Sequence, residues 1–349
     1  FSAGPSILPK EVMLQASQAV QELDGIGLSL IEISHRSKEF IAIMDEAQEL
    51  ALELTGLQNK GYKALFLQGG ASLQFLMVAA NLLNTKAGYI NTGAWSTKAI
   101  KEAKLYGETL EIASSKDQNF NYIPKNYNVP SGLDYLHITT NNTIFGTQFH
   151  ELPKTDAPLV ADMSSDIFSR ELDYSAFDLF YAGAQKNMGP AGTTLVILKE
   201  GLLQELDRAI PSMLSYATHI DKDSMFNTPP VFAVYTSMLN MRWVKAQGGL
   251  SALDAKNRAK AELIYDEIDR NPCFEGFAAT ADRSIMNATF NLAEGSDDTH
   301  FDELWNTSNI SGLKGHRSVG GYRASIYNAL PLESVELLVD CMQNFEKNS

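Results

Sequence analysis

Apolar residues recur at two different spacings along the first two thirds of the chain, and the two spacings alternate. From Ser37 to Gly56, SKEFIAIMDEAQELALELTG carries helical periodicity, with Ser37 as a candidate N-cap and Gly56 as a candidate C-terminal stop. YKALFLQGG then reads as a strand, SLQFLMVAANLL as a helix directly after the glycines, AGYIN as a strand and AWSTKAIKEAKLYG as another helix. DYLHITTNN, PLVADMSSD and DLFYAGAQ follow as buried strands that each end in small or polar residues, and GPAGTTLVIL reads as a turn feeding a further buried strand. This alternation predicts an α/β fold, a largely parallel sheet covered by helices whose strand carboxyl ends share one rim. PPVFAVYTSMLNMRWVKAQGG and SALDAKNRAKAELIYDEIDR predict two long helices. The pattern then changes to a smaller set containing SIMNATFNL, YRASIYN and a final helix from about Leu332. A domain change near Gly248 is therefore expected, and no internal repeat or low-complexity tract interrupts the pattern.

Length and charge narrow the class. A chain of 349 residues exceeds the usual size of one core, so two unequal domains are expected. The formal charge of −14 offers no basic stripe for nucleic acid, which makes the arginines local tools. Cys273 and Cys341 stand far apart without CxxC or HExxH spacing, so neither a disulfide framework nor a metal site is expected and a reducing cytoplasm fits. No apolar run reaches the roughly 20 residues of a membrane span, and FSAGPSILPKE lacks the regions of a signal peptide. The opening Phe1 in place of Met is expected of a trimmed start.

The candidate chemistry gathers at the strand ends. YAGAQKNMGPAG puts Lys186 after a buried strand, where in an open α/β sheet a side chain points at a cleft and suits a Schiff-base nucleophile; the alternative is a surface lysine beside a turn. A pyridoxal phosphate site needs such a lysine, a carboxylate for the ring nitrogen, a flat face for the ring and donors for the phosphate. Asp162 closes PLVAD, 24 positions before Lys186, a gap that allows one strand-helix-strand passage to the same rim; alone, it would read as a cap or turn residue. Gly69, Gly70, Ala71 and Ser72 lie between a strand and a helix, where backbone N–H groups cradle a phosphate, although a ligand-free tight turn gives the same pattern. Trp95 follows Asn91, Thr92 and Gly93 at another strand end and offers an indole face, or is core. Thr143 and Gln185 are further donors. His35 and Arg36 in ISHRSKEF, with His316, Arg317 and Arg323 in GLKGHRSVGGYRAS, are candidate anion ligands, since guanidinium forks suit carboxylates and phosphates.

Over essentially its whole length the sequence resembles the phosphoserine aminotransferase family, within the aspartate-aminotransferase-like (fold type I) pyridoxal-phosphate enzymes. FSAGPSILP, ISHRSKEF, LFLQGGASLQF, NTGAWS, VADMSSDIFSR, YAGAQKNMGPAG, SMFNTPP and LKGHRSVGGYRASIYNA carry the resemblance. It implies a large domain with a mostly parallel seven-stranded sheet (16–248), a smaller α+β C-terminal domain (249–349) and an N-terminal segment (1–15) packing with the small domain. It implies the cofactor pyridoxal 5′-phosphate, linked to Lys186, with Asp162 on the ring nitrogen and Trp95 stacked on the ring. Ala71, Ser72 and Gln185 would hold the phosphate with Thr143 nearby, and Asn227 and Thr228 of SMFNTPP would reach it from the neighbouring subunit, so a cytoplasmic homodimer is implied. His35, Arg36, His316 and Arg317 would form the pocket for the substrate's distal anion, and Arg323 would take the α-carboxylate. The implied reaction moves an amino group between L-glutamate and 3-phosphohydroxypyruvate in serine biosynthesis, with 4-phosphohydroxythreonine of vitamin B6 synthesis as a related substrate. One departure is Ser72, where some members carry an arginine. The rivals are an alanine-glyoxylate aminotransferase, a cysteine desulfurase and a catalytically silent phosphate-binding scaffold. The doubled HR motif disfavours the first two, since alanine has no distal anion and neither cysteine lies in a loop that reads as a persulfide carrier.

Overall fold

The structure, a computed structural model, describes residues 1–204 and 206–348. In chain order it forms α1 (Lys10–Gln21), α2 (Lys38–Leu54), β1 (Tyr62–Leu67), α3 (Gly70–Leu82), β2 (Lys86–Asn91), α4 (Ala94–Ala103), β3 (Glu108–Ser114), β4 (Leu136–Thr139) and β5 (Leu159–Asp162). There follow β6 (Leu179–Gly183), β7 (Thr194–Lys199), α5 (Tyr216–Asp221), α6 (Val231–Ala246), α7 (Gly249–Arg270), β8 (Phe274–Gly276), β9 (Asn287–Leu292), α8 (Asp298–Thr307), β10 (Tyr322–Ser325) and α9 (Leu332–Lys347).

The helix limits follow from local chemistry. Ser37 caps α2 by accepting from the Phe40 N–H. At the other end Gly56 takes φ +65°, and the N–H groups of Leu57 and Gly56 close on the carbonyls of Leu52 and Glu53, so the final carbonyls are satisfied by a left-handed stop. α4 ends at Ala103, four residues before the pattern predicts, because the N–H groups of Leu105 and Tyr106 fold back on Glu102 and Ala103 as a turn.

Seven strands form one sheet in the order β1-β7-β6-β5-β4-β2-β3, parallel except that β7 runs against both β6 and β1. The expected mostly parallel sheet is present. Alternate residues of each strand face opposite layers, so Phe66 and Phe180 join Phe40, Met44 and Met241 on one side while Leu65 and Tyr181 join Met77 and Tyr89 on the other. Each such buried side chain contributes roughly 1.5–3 kcal/mol. A second, antiparallel sheet, β10-β9-β8, has its own core of Ile264, Met286, Phe290, Phe301, Leu338 and Phe345. The chain start touches both. The Phe1 amine donates to Ser311 O at 2.8 Å and Tyr327 Oη donates to Ala3 O at 2.9 Å, while α1 packs on α6 in the large core.

Candidate active site

Parallel strands bring their carboxyl ends to one edge, and four of the expected residues meet there. Asp162 is the last residue of β5, Lys186 lies three residues beyond β6, Trp95 stands in the first turn of α4 after β2, and Thr143 follows β4. Together with Ala71, Ser72 and Gln185 they line a cavity of about 130 Å³. The Lys186 ammonium donates to Thr143 Oγ1 at 2.7 Å and sits 5.6 Å from the centre of the Trp95 ring. A larger hollow of about 650 Å³ around Lys125, His150 and Asp282 is not the better candidate. Lys125 is already paired with Asp282 at 3.0 Å, and among the described residues no buried polar atom in its wall lacks a partner.

Burial sets the proton affinities. It pushes the Lys186 amine down to about 8, with Asp162 opposing that shift and Arg323 adding to it. The neutral fraction at pH 7 thereby rises by about two orders of magnitude over an ordinary lysine. Burial also raises the Asp162 carboxyl, against the lowering effects of its hydrogen bonds from Ser164 and of the Lys186 charge. Both Ser164 bonds fall on Oδ1, from Oγ at 2.6 Å and from N–H at 2.9 Å, and Gly183 N–H in turn donates to Ser164 Oγ at 3.2 Å. A cationic ring nitrogen beside this carboxylate would offset its desolvation.

The opposite wall suits an anion. Gly69 takes φ +92° and Gly70 φ +65°, and a Cβ on Gly69 would lie 2.5 Å from Leu73 Cδ2, so this tight entry into α3 requires glycine. The first intrahelical bond runs from Leu73 N–H to Gly69 O at 3.3 Å, which leaves the N–H groups of Gly70, Ala71 and Ser72 open at the positive end of a 13-residue helix. Thr139 Oγ1, buried in the cavity wall, lacks a partner as well. The residues present therefore fit pyridoxal 5′-phosphate, with anion donors on one wall and a buried carboxylate on the other.

The remaining expected residues lie elsewhere in the chain. Arg323 on β10 approaches from the second sheet, its Nη1 donating to Thr143 O at 3.3 Å. His316 and Arg317 stand in the loop before β10, and burial followed by the charges of Arg323, Arg317 and Lys98 lowers the His316 pKa. His35 is buried with Nε2 unpartnered and Arg36 is exposed just before α2; no bond joins either to the Lys186 cavity. Asn227 lines a separate crevice with Gln68 and Leu73, and Thr228 O accepts from Gln68 Nε2 at 2.7 Å.

Some participants were not singled out from sequence. Ser6 Oγ donates to Lys186 O and Ser6 N–H to Gln185 O at 3.0 Å, so the FSAGPS segment clamps the lysine's backbone. Gly4, at φ +134°, passes so near that a Cβ there would lie 3.2 Å from Lys186 Cγ. Ser164 and Lys98, in motifs already quoted, also received no role. The signal for Ser164 was its place two residues after Asp162, the spacing at which a hydroxyl turns back on a carboxylate.

The sequence matches the family Aminotransferase class-V over residues 1–338. It is 63% identical to the phosphoserine aminotransferase of Flavobacterium johnsoniae over 348 residues, 99% of this chain and 98% of that one. Among solved structures, phosphoserine aminotransferase from Bacillus circulans subsp. alkalophilus superposes with a TM-score of 0.96 at 45% identity, covering 100% of this chain and 98% of its own. The pyridoxal-phosphate-bound phosphoserine aminotransferase from Trichomonas vaginalis superposes with a TM-score of 0.93 at 34% identity, over 98% and 99% of the two chains.

Proposed function

This chain belongs to the aminotransferase class-V family, and from that premise we propose that it is a phosphoserine aminotransferase, moving an amino group between L-glutamate and 3-phosphohydroxypyruvate to give 2-oxoglutarate and O-phospho-L-serine. The observation that carries this reading is the Lys186 ammonium, held by Thr143 in one cavity with buried Asp162 and the open N-terminus of α3. Pyridoxal 5′-phosphate, when bound, supplies the electron sink that makes an amino acid's α-hydrogen removable.

Around that group each side chain has a separate task. Ala71, Ser72 and Gln185 would hold the phosphate with Thr143 nearby, Asp162 the ring nitrogen and Trp95 a ring face. Lys186 Nζ carries the proton to and from the substrate's α-carbon, and an amine with a pKa near 8 both gives up and regains a proton at neutral pH. Thr143 Oγ1 accepts from that ammonium and keeps it inside the cavity. Arg323 would take the α-carboxylate. His35, Arg36, His316 and Arg317 would take the distal anion, a phosphate in one half-reaction and a γ-carboxylate in the other. The two half-reactions share one site, so the kinetics are ping-pong.

The assembly we assign is a cytoplasmic homodimer. Asn227 and Thr228 lie outside the Lys186 cavity of their own chain, and the stretch before His35 and Arg36 exposes Ile26, Leu28 and Ile31; both features suit a neighbour whose site these residues complete. We assign residues 16–248 to the large domain and 249–349 to the small one, with 1–15 as an N-terminal segment; the separate core around β9 and α9 supports the division.

The experiment is a transamination assay with 2-oxoglutarate as acceptor and O-phospho-L-serine, L-serine or L-alanine as donor. Phosphoserine should exceed the uncharged donors by about 100-fold or more in kcat/KM, the scale of two charge-assisted contacts. Equal rates with alanine would refute the assignment. 4-Phosphohydroxythreonine, which carries the same distal phosphate, belongs in the same assay as a second substrate.

A further inference from the structure

We propose that Lys98, one turn after Trp95 on α4, is a specificity-determining cation of the distal-anion pocket, contacting the phosphate of the phosphorylated substrate and favouring it over a γ-carboxylate. The proposal rests on the functional reading above. Its geometry comes from the Trp95 ring, whose centre lies 4.5 Å from Lys98 Nζ and 5.6 Å from Lys186 Nζ. The two ammonium groups thus stand within about 10 Å of each other, joined by one aromatic plate. Lys98 therefore stands against Trp95, a residue of the Lys186 cavity wall.

Its electrostatic setting points to an anion. Lys98 is exposed, and among the described residues it forms no ion pair, in a chain with 42 acidic and 28 basic residues. Arg317 and Arg323 are likewise unpaired there, and with Lys98 they are the charges that act on His316. Burial and then that field lower the His316 pKa, and its Nδ1 accepts from Ser318 Oγ at 2.6 Å and from Ser318 N–H at 3.2 Å. Within this chain, a distal anion arriving beside His316 therefore meets the fixed positive charge of Arg317, Arg323 and Lys98, to which the neighbour's Arg36 adds in the proposed dimer.

These three charges are not equivalent. Arg323 is tied to Thr143 O, and the α3 wall offers its open N–H groups and the Ser72 hydroxyl but no charged side chain. Within this chain Arg317 and Lys98 remain for the distal group, beside the neighbour's Arg36. A γ-carboxylate brings one negative charge on two oxygens, whereas a phosphate monoester brings about 1.5 to 2 on three at pH 7, so each further cation beside the guanidinium groups favours the phosphate. The surplus is what Lys98 neutralises. An ammonium suits that task because it is a point charge on a flexible stem, able to meet the larger anion and withdraw from the smaller.

The test compares full-length holoenzyme with Lys98→Gln and Lys98→Arg. Lys98→Gln should lower kcat/KM for phosphoserine by about 10-fold, mainly through KM, and for glutamate by less than about 3-fold, while Lys98→Arg restores most of the loss. The cofactor's absorbance and retention should not change. Equal losses for both donors, or a loss that tracks cofactor release, would mean that Lys98 merely props Trp95. Inorganic phosphate gives a readout independent of turnover: quenching of Trp fluorescence should require about ten times more phosphate in Lys98→Gln than in wild type. Unchanged phosphate affinity overturns the assignment. A wild type that binds phosphate through Lys98 yet fails to transaminate phosphoserine would refute the functional reading alone.

Discussion

Lys186 needs an uncharged amine to act as a base and a charged one to return the proton, so a pKa near 8 serves both directions at neutral pH. The same burial makes the ammonium costly to the fold. Below about pH 8 the amine is charged in the folded and the unfolded chain, and the desolvation penalty is fully present; it fades as pH rises toward 10.5, where both forms are neutral. Lys186→Ala should therefore abolish transamination without lowering the melting temperature of the cofactor-free protein at pH 7, as activity assays and thermal melts will read. Retained turnover would remove Lys186 from the proton transfer. Ser164 acts one step further out. Its hydroxyl lowers the Asp162 carboxyl against burial, so Ser164→Ala should raise that carboxyl further, move the acid limb of the pH–rate profile to higher pH and reduce kcat by about 10-fold, the worth of one charge-assisted bond. An unmoved acid limb would confine Ser164 to a structural role. Lys186 and Asp162 were legible because a charged residue at the end of an apolar strand is conspicuous. Ser6 was not, since nothing in FSAGPS tells which carbonyl, 180 positions away, its hydroxyl will find.

Among the elements, the turn after β5 shows what residue patterns conceal. In MSSDIFSR, Phe168 adopts φ +56°, a left-handed conformation that costs a non-glycine residue roughly 1 kcal/mol or more. Three buried asparagines from three other segments each take one of its consecutive carbonyls: Asn187 Nδ2 donates to Ile167 O at 3.2 Å, Asn328 Nδ2 to Phe168 O at 2.8 Å and Asn257 Nδ2 to Ser169 O at 2.8 Å. They are also joined to one another, Asn328 N–H donating to Asn187 Oδ1 at 3.0 Å and Asn257 Nδ2 to Asn328 Oδ1 at 2.8 Å. This ladder ties α7 and the loop after β10 to the residue that follows Lys186. Asn328→Ala should leave Phe168 O without its donor and Asn257 Nδ2 without one of its acceptors, and destabilise the protein by about 2–4 kcal/mol, read as a lower urea midpoint. A midpoint within error of wild type would show that water replaces the ladder. Long buried strands and amphipathic helices such as α2 and α9 were readable from periodicity. β3 was not anticipated, because ETLEIAS is a half-buried edge strand whose Glu108 and Glu111 break any apolar run. α1 was missed too: its buried face is only Val12, Ala16 and Ala19, too slight to mark a helix.

For the whole molecule, two sets stand apart among the expected residues. Lys186, Asp162, Trp95, Thr143, Ala71, Ser72 and Gln185 meet within one chain, whereas Asn227, Thr228, His35 and Arg36 do not reach that cavity. Motif spacing cannot tell these sets apart, because in the proposed dimer the second would be completed by symmetry and not by chain path. If Thr228 serves the partner's cofactor, Thr228→Glu should cripple the neighbouring site by setting a carboxylate against its phosphate, while the variant's own Lys186 stays sound. Lys186→Ala damages only its own site. Unfolding and refolding the two variants together then gives heterodimers with one doubly damaged site and one fully native site. Random pairing makes half the dimers heterodimers, so about one quarter of wild-type activity should appear from two nearly inactive stocks. Sedimentation and mass measurement must confirm that mixed dimers form. Should they form and remain inactive, Thr228 acts within its own chain and the shared-site assembly is wrong; should either stock regain activity when refolded alone, the recovery owes nothing to pairing.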